Sequence, residues 1–93
     1  MNEHQKRLWQ NMINLIQGYL DGKTEDFYKI VGELEGNLDA SEIKDTTLIS
    51  QWYGFWMPLE VRRAIEGNPI NKKQAIAELI AMKEFLLSNN DDS

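Results

Sequence analysis

The sequence predicts an all-α fold: a compact bundle of four to five helices in a single domain. Three observations predict it. Apolar residues recur at intervals of three and four along nearly the whole chain, while alternation with period two is scarce. Turn and cap residues cut the chain into pieces of helical length. Ninety-three residues, 42% apolar and 27% charged, suit one core and leave no length for a second. The domain is read as residues 1–88, with 89–93 a polar tail.

The first helix is read from Glu3 to Leu20, with Leu8, Trp9, Met12, Ile13, Leu15, Ile16, Tyr19 and Leu20 on one broad arc and Arg7, Gln10, Asn14 and Gln17 opposite. It closes at Asp21-Gly22, where glycine takes the left-handed conformation that ends a helix. The second begins at Thr24 as the cap, with Glu25 and Asp26 in its first turn, and carries Phe27, Val31, Leu34 and Leu38 as one stripe. Gly32 and Gly36 lie off that stripe. Either they admit another element or they mark a helix of marginal stability, each costing about 1 kcal/mol against alanine.

A polar connection spans 39–47. Asp39 with Glu42 has the form of a capping box for a short turn at 39–43, and Asp45 to Thr47 offers a cap for the third helix. That helix places Leu48, Trp52, Phe55 and Trp56 on one face. Pro58 disfavours helical conformation at Met57, so the third helix is expected to stop there and a fourth to run from Pro58 to Glu66. The restart turns Val61, Ala64 and Ile65 inward and Arg62, Arg63 and Glu66 outward. Gly67-Asn68-Pro69 closes it. The last helix is capped by Asn71 and runs to Ser88.

The formal charge is −5, and its placement is uneven. Residues 21–45 hold eight acids against three lysines, whereas 1–20 sum to +1, 46–70 to zero and 71–93 to −1. The excess acid therefore sits on the second helix and its flanking turns. Glu25, Asp26, Glu33, Glu35, Asp39, Glu42 and Asp45 form a candidate surface for a protein partner with a basic face. The same acids would also serve to keep a small domain in solution. The sign of the charge argues against a nucleic-acid partner.

The block Trp52-Tyr53-Gly54-Phe55-Trp56-Met57 is the second candidate. Six helical positions turn through more than one and a half turns, so five large groups cannot all face one core. Trp52 and Trp56 are assigned to the core. Tyr53 and Met57, with Arg62, Arg63 and Phe85, form an alternative interface for self-association, since aromatic residues and arginine anchor interfaces. The competing reading packs all the rings inside. Lys83 falls within the apolar arc of the last helix; it either pairs with Glu60 or Glu66 or runs its stem over apolar groups to water.

Catalysis finds little material. One histidine, His4, and no cysteine leave a zinc site of ordinary composition without its ligands, and a general base or a Ser-His-Asp arrangement would have to rely on His4 near the start of the first helix. The glycines stand alone, so no phosphate loop exists, and the spacing Asp39, Glu42, Asp45 lacks the glycine-centred calcium loop. The chain is read as a binding protein and not an enzyme, with no cofactor and no metal. Gln10 and Asn11 break the first apolar run before it reaches the length of a secretion signal, and nowhere do 18 apolar residues run together. No membrane partner and a cytoplasmic location are the expectation.

Tyr19-Leu20-Asp21-Gly22-Lys23 followed by Phe27 resembles the first helix, tight turn and second helix of small all-helical bacterial immunity proteins, the colicin-immunity-like group; the resemblance covers residues 12–38. It implies a helical fold whose acidic surface meets a basic toxin.

Overall fold

The structure, a computed structural model, describes residues 1–66 and 71–90, save the side chain of Glu66. Every regular element among them is an α-helix: α1 (Glu3–Leu20), α2 (Phe27–Ser41), α3 (Thr46–Glu66) and α4 (Lys72–Ser88). The radius of gyration is 12.8 Å. The reading of Gly67-Asn68-Pro69 as a helix stop, and of 91–93 as a frayed end, lies outside the described residues.

The helices form a closed ring in which α1 packs on α2 and α4, and α3 packs on α2 and α4. Short connections force neighbours to run antiparallel. Cross-helix bonds show it: His4 meets the carbonyl of Ala40, Tyr19 meets Phe27, and Trp9 meets Leu86. Across the ring's diagonal, the Trp52 indole on α3 donates to the Met12 sulfur on α1 at 3.3 Å. The middle of the bundle is thus filled by rings and thioether, with Trp9, Met12, Trp52 and Met82 fully buried.

Caps set most of the boundaries. Asn2 and Gln5 form a reciprocal capping box at the start of α1, and Asn71 accepts from the Gln74 amide at 3.2 Å to start α4. Gly22 takes φ 77 after α1, as its place in the Asp-Gly turn requires.

Three boundary expectations are corrected. The α2 cap is Asp26, which accepts from the Lys29 amide at 3.0 Å, and not Thr24. A carboxylate suits the positive helix end better than a hydroxyl does, and Phe27, buried edge-on against Tyr19 at 5.9 Å, fixes where the helix enters. Asp39 does not start a new turn of helix, because α2 runs through it to Ser41 and ends at Glu42, a left-handed residue with φ 55. Asp45 caps α3 through the Leu48 amide.

The third correction is the largest. Pro58 does not divide α3, which runs unbroken from Thr46 to Glu66. Pro58 is exposed, so the carbonyl of Gly54, deprived of a donor by the missing N–H, sits on the water side of the helix, where proline is cheapest to tolerate. Continuity reverses the predicted phase: Trp52, Trp56 and Leu59 face the core, while Val61, Ala64 and Ile65 face solvent. Phe55, expected on the tryptophan face, sits at its edge, 37% exposed and stacked on Phe85 at 4.8 Å.

Candidate functional site

The acidic residues decorate α2 and the turns at its two ends. Glu25 and Asp26 stand exposed at its start, Asp39 is exposed near its end, and Glu42 and Asp45 are exposed in the turn to α3. Glu33 and Glu35 are half-buried on opposite flanks. Glu33 faces the α1 side, sharing a groove with Asn11, Leu15 and Gly18, and Lys29 approaches it at 4.0 Å. Glu35 faces the α3 side and accepts the Tyr53 hydroxyl at 3.0 Å.

The seven carboxylates thus share one edge of the bundle without meeting at a point. From Asp26 to Glu42 the helix rises about 24 Å. That is about three screening lengths at physiological salt, so the two ends act on a ligand separately and only an extended surface would engage both. Three carboxylates also have structural work: Asp26 and Asp45 cap helices, and Glu35 holds Tyr53.

The negative field is felt by two phenols. Burial raises the pKa of Tyr53 above the ordinary tyrosine value, and the hydrogen bond to Glu35 with the charges of Glu35 and Asp39 raises it further. At the other end of α2, burial and then the charge of Glu25 raise that of Tyr19. Each shift reflects first the cost of charging a phenol taken out of water, and second the cost of placing that charge beside a carboxylate.

Between the acids, the solvent line of α2 is unusually bare. Gly32, Gly36 and Ala40 are exposed, and a side chain built on Gly36 would meet nothing within 4 Å. Gly32 is different, because the Arg63 guanidinium lies over it, 3.3 Å from where a Cβ would stand. Among the described residues nothing packs on Gly36, so packing between them gives no reason for that glycine.

The residues of the alternative interface mostly face inward. Phe85 is 9% exposed between Trp9 and Phe55, and Tyr53 packs edge-on to Trp52 and Trp56 while bonded to Glu35. Arg62 makes a two-point bond to Glu78, 2.8 and 2.9 Å, and reaches Gln74 as well. Arg63, expected outward, lies along the α2 side, donating to the Tyr28 carbonyl at 3.2 Å, over the Tyr28 ring and ion-paired with Glu60. Met57, by contrast, is 46% exposed. The aromatic surplus that the sequence calls for is therefore taken up by ring-on-ring packing along the α2–α3 and α3–α4 seams.

Lys83 is half-buried and bonds the Gln17 side chain on α1, not Glu60, which is engaged with Arg63 on α3; the Glu66 side chain lies outside the described residues. Among the described residues no group of three or more His, Cys, Asp or Glu side chains could hold a metal ion, so Asp39, Glu42 and Asp45 do not converge. No helix among them is long and apolar enough to cross a membrane.

One surface escaped the sequence reading. Gly54, Met57, Pro58, Val61 and Ile65 line a shallow groove on the outward side of α3, bordered by Arg62 and Glu78. Its signal was present in the 4-3-4 spacing of positions 54, 58, 61 and 65, and was hidden by restarting the helix at Pro58. Comparison with known protein families, curated proteins and solved structures finds no match for this chain.

Proposed function

We propose that the chain is a non-catalytic binding module, acting like an immunity protein or inhibitor, that docks the α2 edge on a protein with a basic surface. The observation that carries this reading is the form of that edge. Exposed carboxylates stand at both ends of a helix whose outward line is bare at Gly36 and Ala40, with the Arg63 guanidinium over Gly32, so a surface approaching the C-terminal half of α2 meets negative charge over open backbone. The Lys29–Glu33 contact, long and open to water, neutralises little of it. The resemblance of residues 12–38 to the colicin-immunity-like group supports the same direction, as does the dearth of catalytic material. The proposal places this action in the cytoplasm, on the strength of a sequence without cysteine.

The test is the ionic-strength dependence of binding to a partner captured by the intact protein. Affinity should fall at least about tenfold between roughly 50 and 300 mM salt, mostly through the association rate. Neutralising Glu25, Asp39 and Glu42 to glutamine should flatten that dependence, and none of the three accepts a bond from a cap or from Tyr53. An affinity indifferent to salt, or unchanged in the triple variant, would remove the proposal.

A further inference from the structure

The outward face of α3 is apolar where a surface helix is normally polar. Met57 and Val61 are each 46% exposed and Ile65 is 78% exposed, in a helix that already buries Trp52, Trp56 and Leu59 on its inner side. No charged side chain interrupts the line Gly54, Pro58, Val61, Ile65. The charges at its border cancel, since Arg62 holds Glu78 in a two-point bond. Eight of the fifteen acids lie in residues 21–45, on α2 and its turns. Glu78, the acid that lines this groove, is held by Arg62, so two molecules of net charge −5 can approach here without bringing their α2 edges together.

The line also matches itself. The spacing 54, 58, 61, 65 is symmetric about the point midway between Pro58 and Val61. Laid antiparallel on a second copy about that point, Val61 faces Pro58 of the other chain and Ile65, the most exposed large apolar side chain among the described residues, faces Gly54. Gly54 is an exposed glycine inside a helix, and a Cβ added there would meet nothing within 4 Å. Among the described residues nothing enters that space, whereas a branched side chain from a twofold-related copy would fill it.

We infer that the outward face of α3 binds a second copy of this chain in an antiparallel, twofold pairing in which each Ile65 seats against the Gly54 of the other. The stripe is short, and a face of this size supports a weak, concentration-dependent dimer and not an obligate one.

Sedimentation equilibrium of the full chain from roughly 10 μM to about 1 mM should show the mass rising from 10.8 kDa toward twice that value. Gly54→Ala and Ile65→Ala should each weaken association by about tenfold, and the double variant should be no more than ~3-fold worse than the weaker-binding single. Within one chain these positions stand about 16 Å apart along the helix, so coupling between them arises only across an interface. Both positions face solvent in the monomer, and circular dichroism should confirm intact folding. A mass of 10.8 kDa at every concentration, additive losses in the double variant, or a dimer that neither change affects would overturn the inference. None of these outcomes bears on docking at α2, which involves other residues and a salt-dependent signal.

Discussion

Replacing each buried tryptophan by phenylalanine separates hydrogen bonding from packing at three sites in one core. Trp9, Trp52 and Trp56 are 0%, 0% and 4% exposed, so the substitution removes the same atoms from equally buried surroundings. Lost transfer energy and the cavity left behind cost about 2 kcal/mol at each, roughly half the cost of truncating tryptophan to alanine. The indole N–H groups differ in what they leave behind. Trp9 donates at 2.8 Å to the carbonyl of Leu86, in the last turn of α4. Among the described residues the amides that follow go elsewhere, Asn89 to Phe85 and Asn90 to Leu87, so loss of the indole takes from a buried carbonyl its one donor there, at about 1–3 kcal/mol. Trp56 donates at 2.9 Å to the carbonyl of Val31, which as a mid-helix group keeps its own i+4 donor, so only a net hydrogen bond of about 1 kcal/mol is lost. Trp52 donates to a thioether, a weak acceptor whose loss costs little. The expected order of destabilisation is therefore about 4, 3 and 2 kcal/mol for Trp9→Phe, Trp56→Phe and Trp52→Phe. Equilibrium urea unfolding at 25 °C resolves these steps, and in melting temperature each corresponds to roughly 4–8 °C. Equal losses for Trp9→Phe and Trp52→Phe would show that packing alone sets the cost and that the indole bond to Leu86 is incidental.

Backbone conformation gives two further outcomes. Glu42→Gly should stabilise the fold by about 1 kcal/mol, since φ 55 is a conformation that glycine adopts freely and glutamate does not; a lower melting temperature would contradict this. Gly36→Ala should also stabilise by about 1 kcal/mol, because the new methyl meets open space within a helix, and a loss in urea unfolding would mean that another group packs there. Alkaline titration tests the burial of Tyr53 and, after it, the charge of Glu35 and Asp39. The pKa of Tyr53 is raised in the folded state, so its contribution to stability is complete below the unfolded value near 10 and is lost as pH climbs through the folded value. Tyr53→Phe should therefore flatten the fall in stability above about pH 10, leaving the share due to Tyr19; an alkaline limb identical to the wild type would refute the assignment.

Local chemistry determined a good deal of this protein. The spans of α1 and α4, the Asp21-Gly22 turn and the caps at Asp45 and Asn71 were legible because each depends on residues within four positions of one another. The acidic character of α2 was legible for the same reason: charge along a chain is simply counted. The phase of α3 was not. That helix is apolar nearly all round, so periodicity says that it is helical and not which side is inner. A proline rule then tipped the reading toward a break that the neighbouring helices do not require.

Tertiary structure decided what lies against what. It put Arg63 beside the core because the Tyr28 carbonyl and Glu60 stand there to receive it over the bare backbone of Gly32. It gave Lys83 an amide on α1 in place of a carboxylate on α3, and it turned Tyr53 and Phe85 inward while leaving Val61 and Ile65 to solvent. The physical reason is common to all four. Helical propensity and capping are settled within a turn, whereas the choice of buried face depends on surfaces brought together from 16 to 77 positions away in the chain.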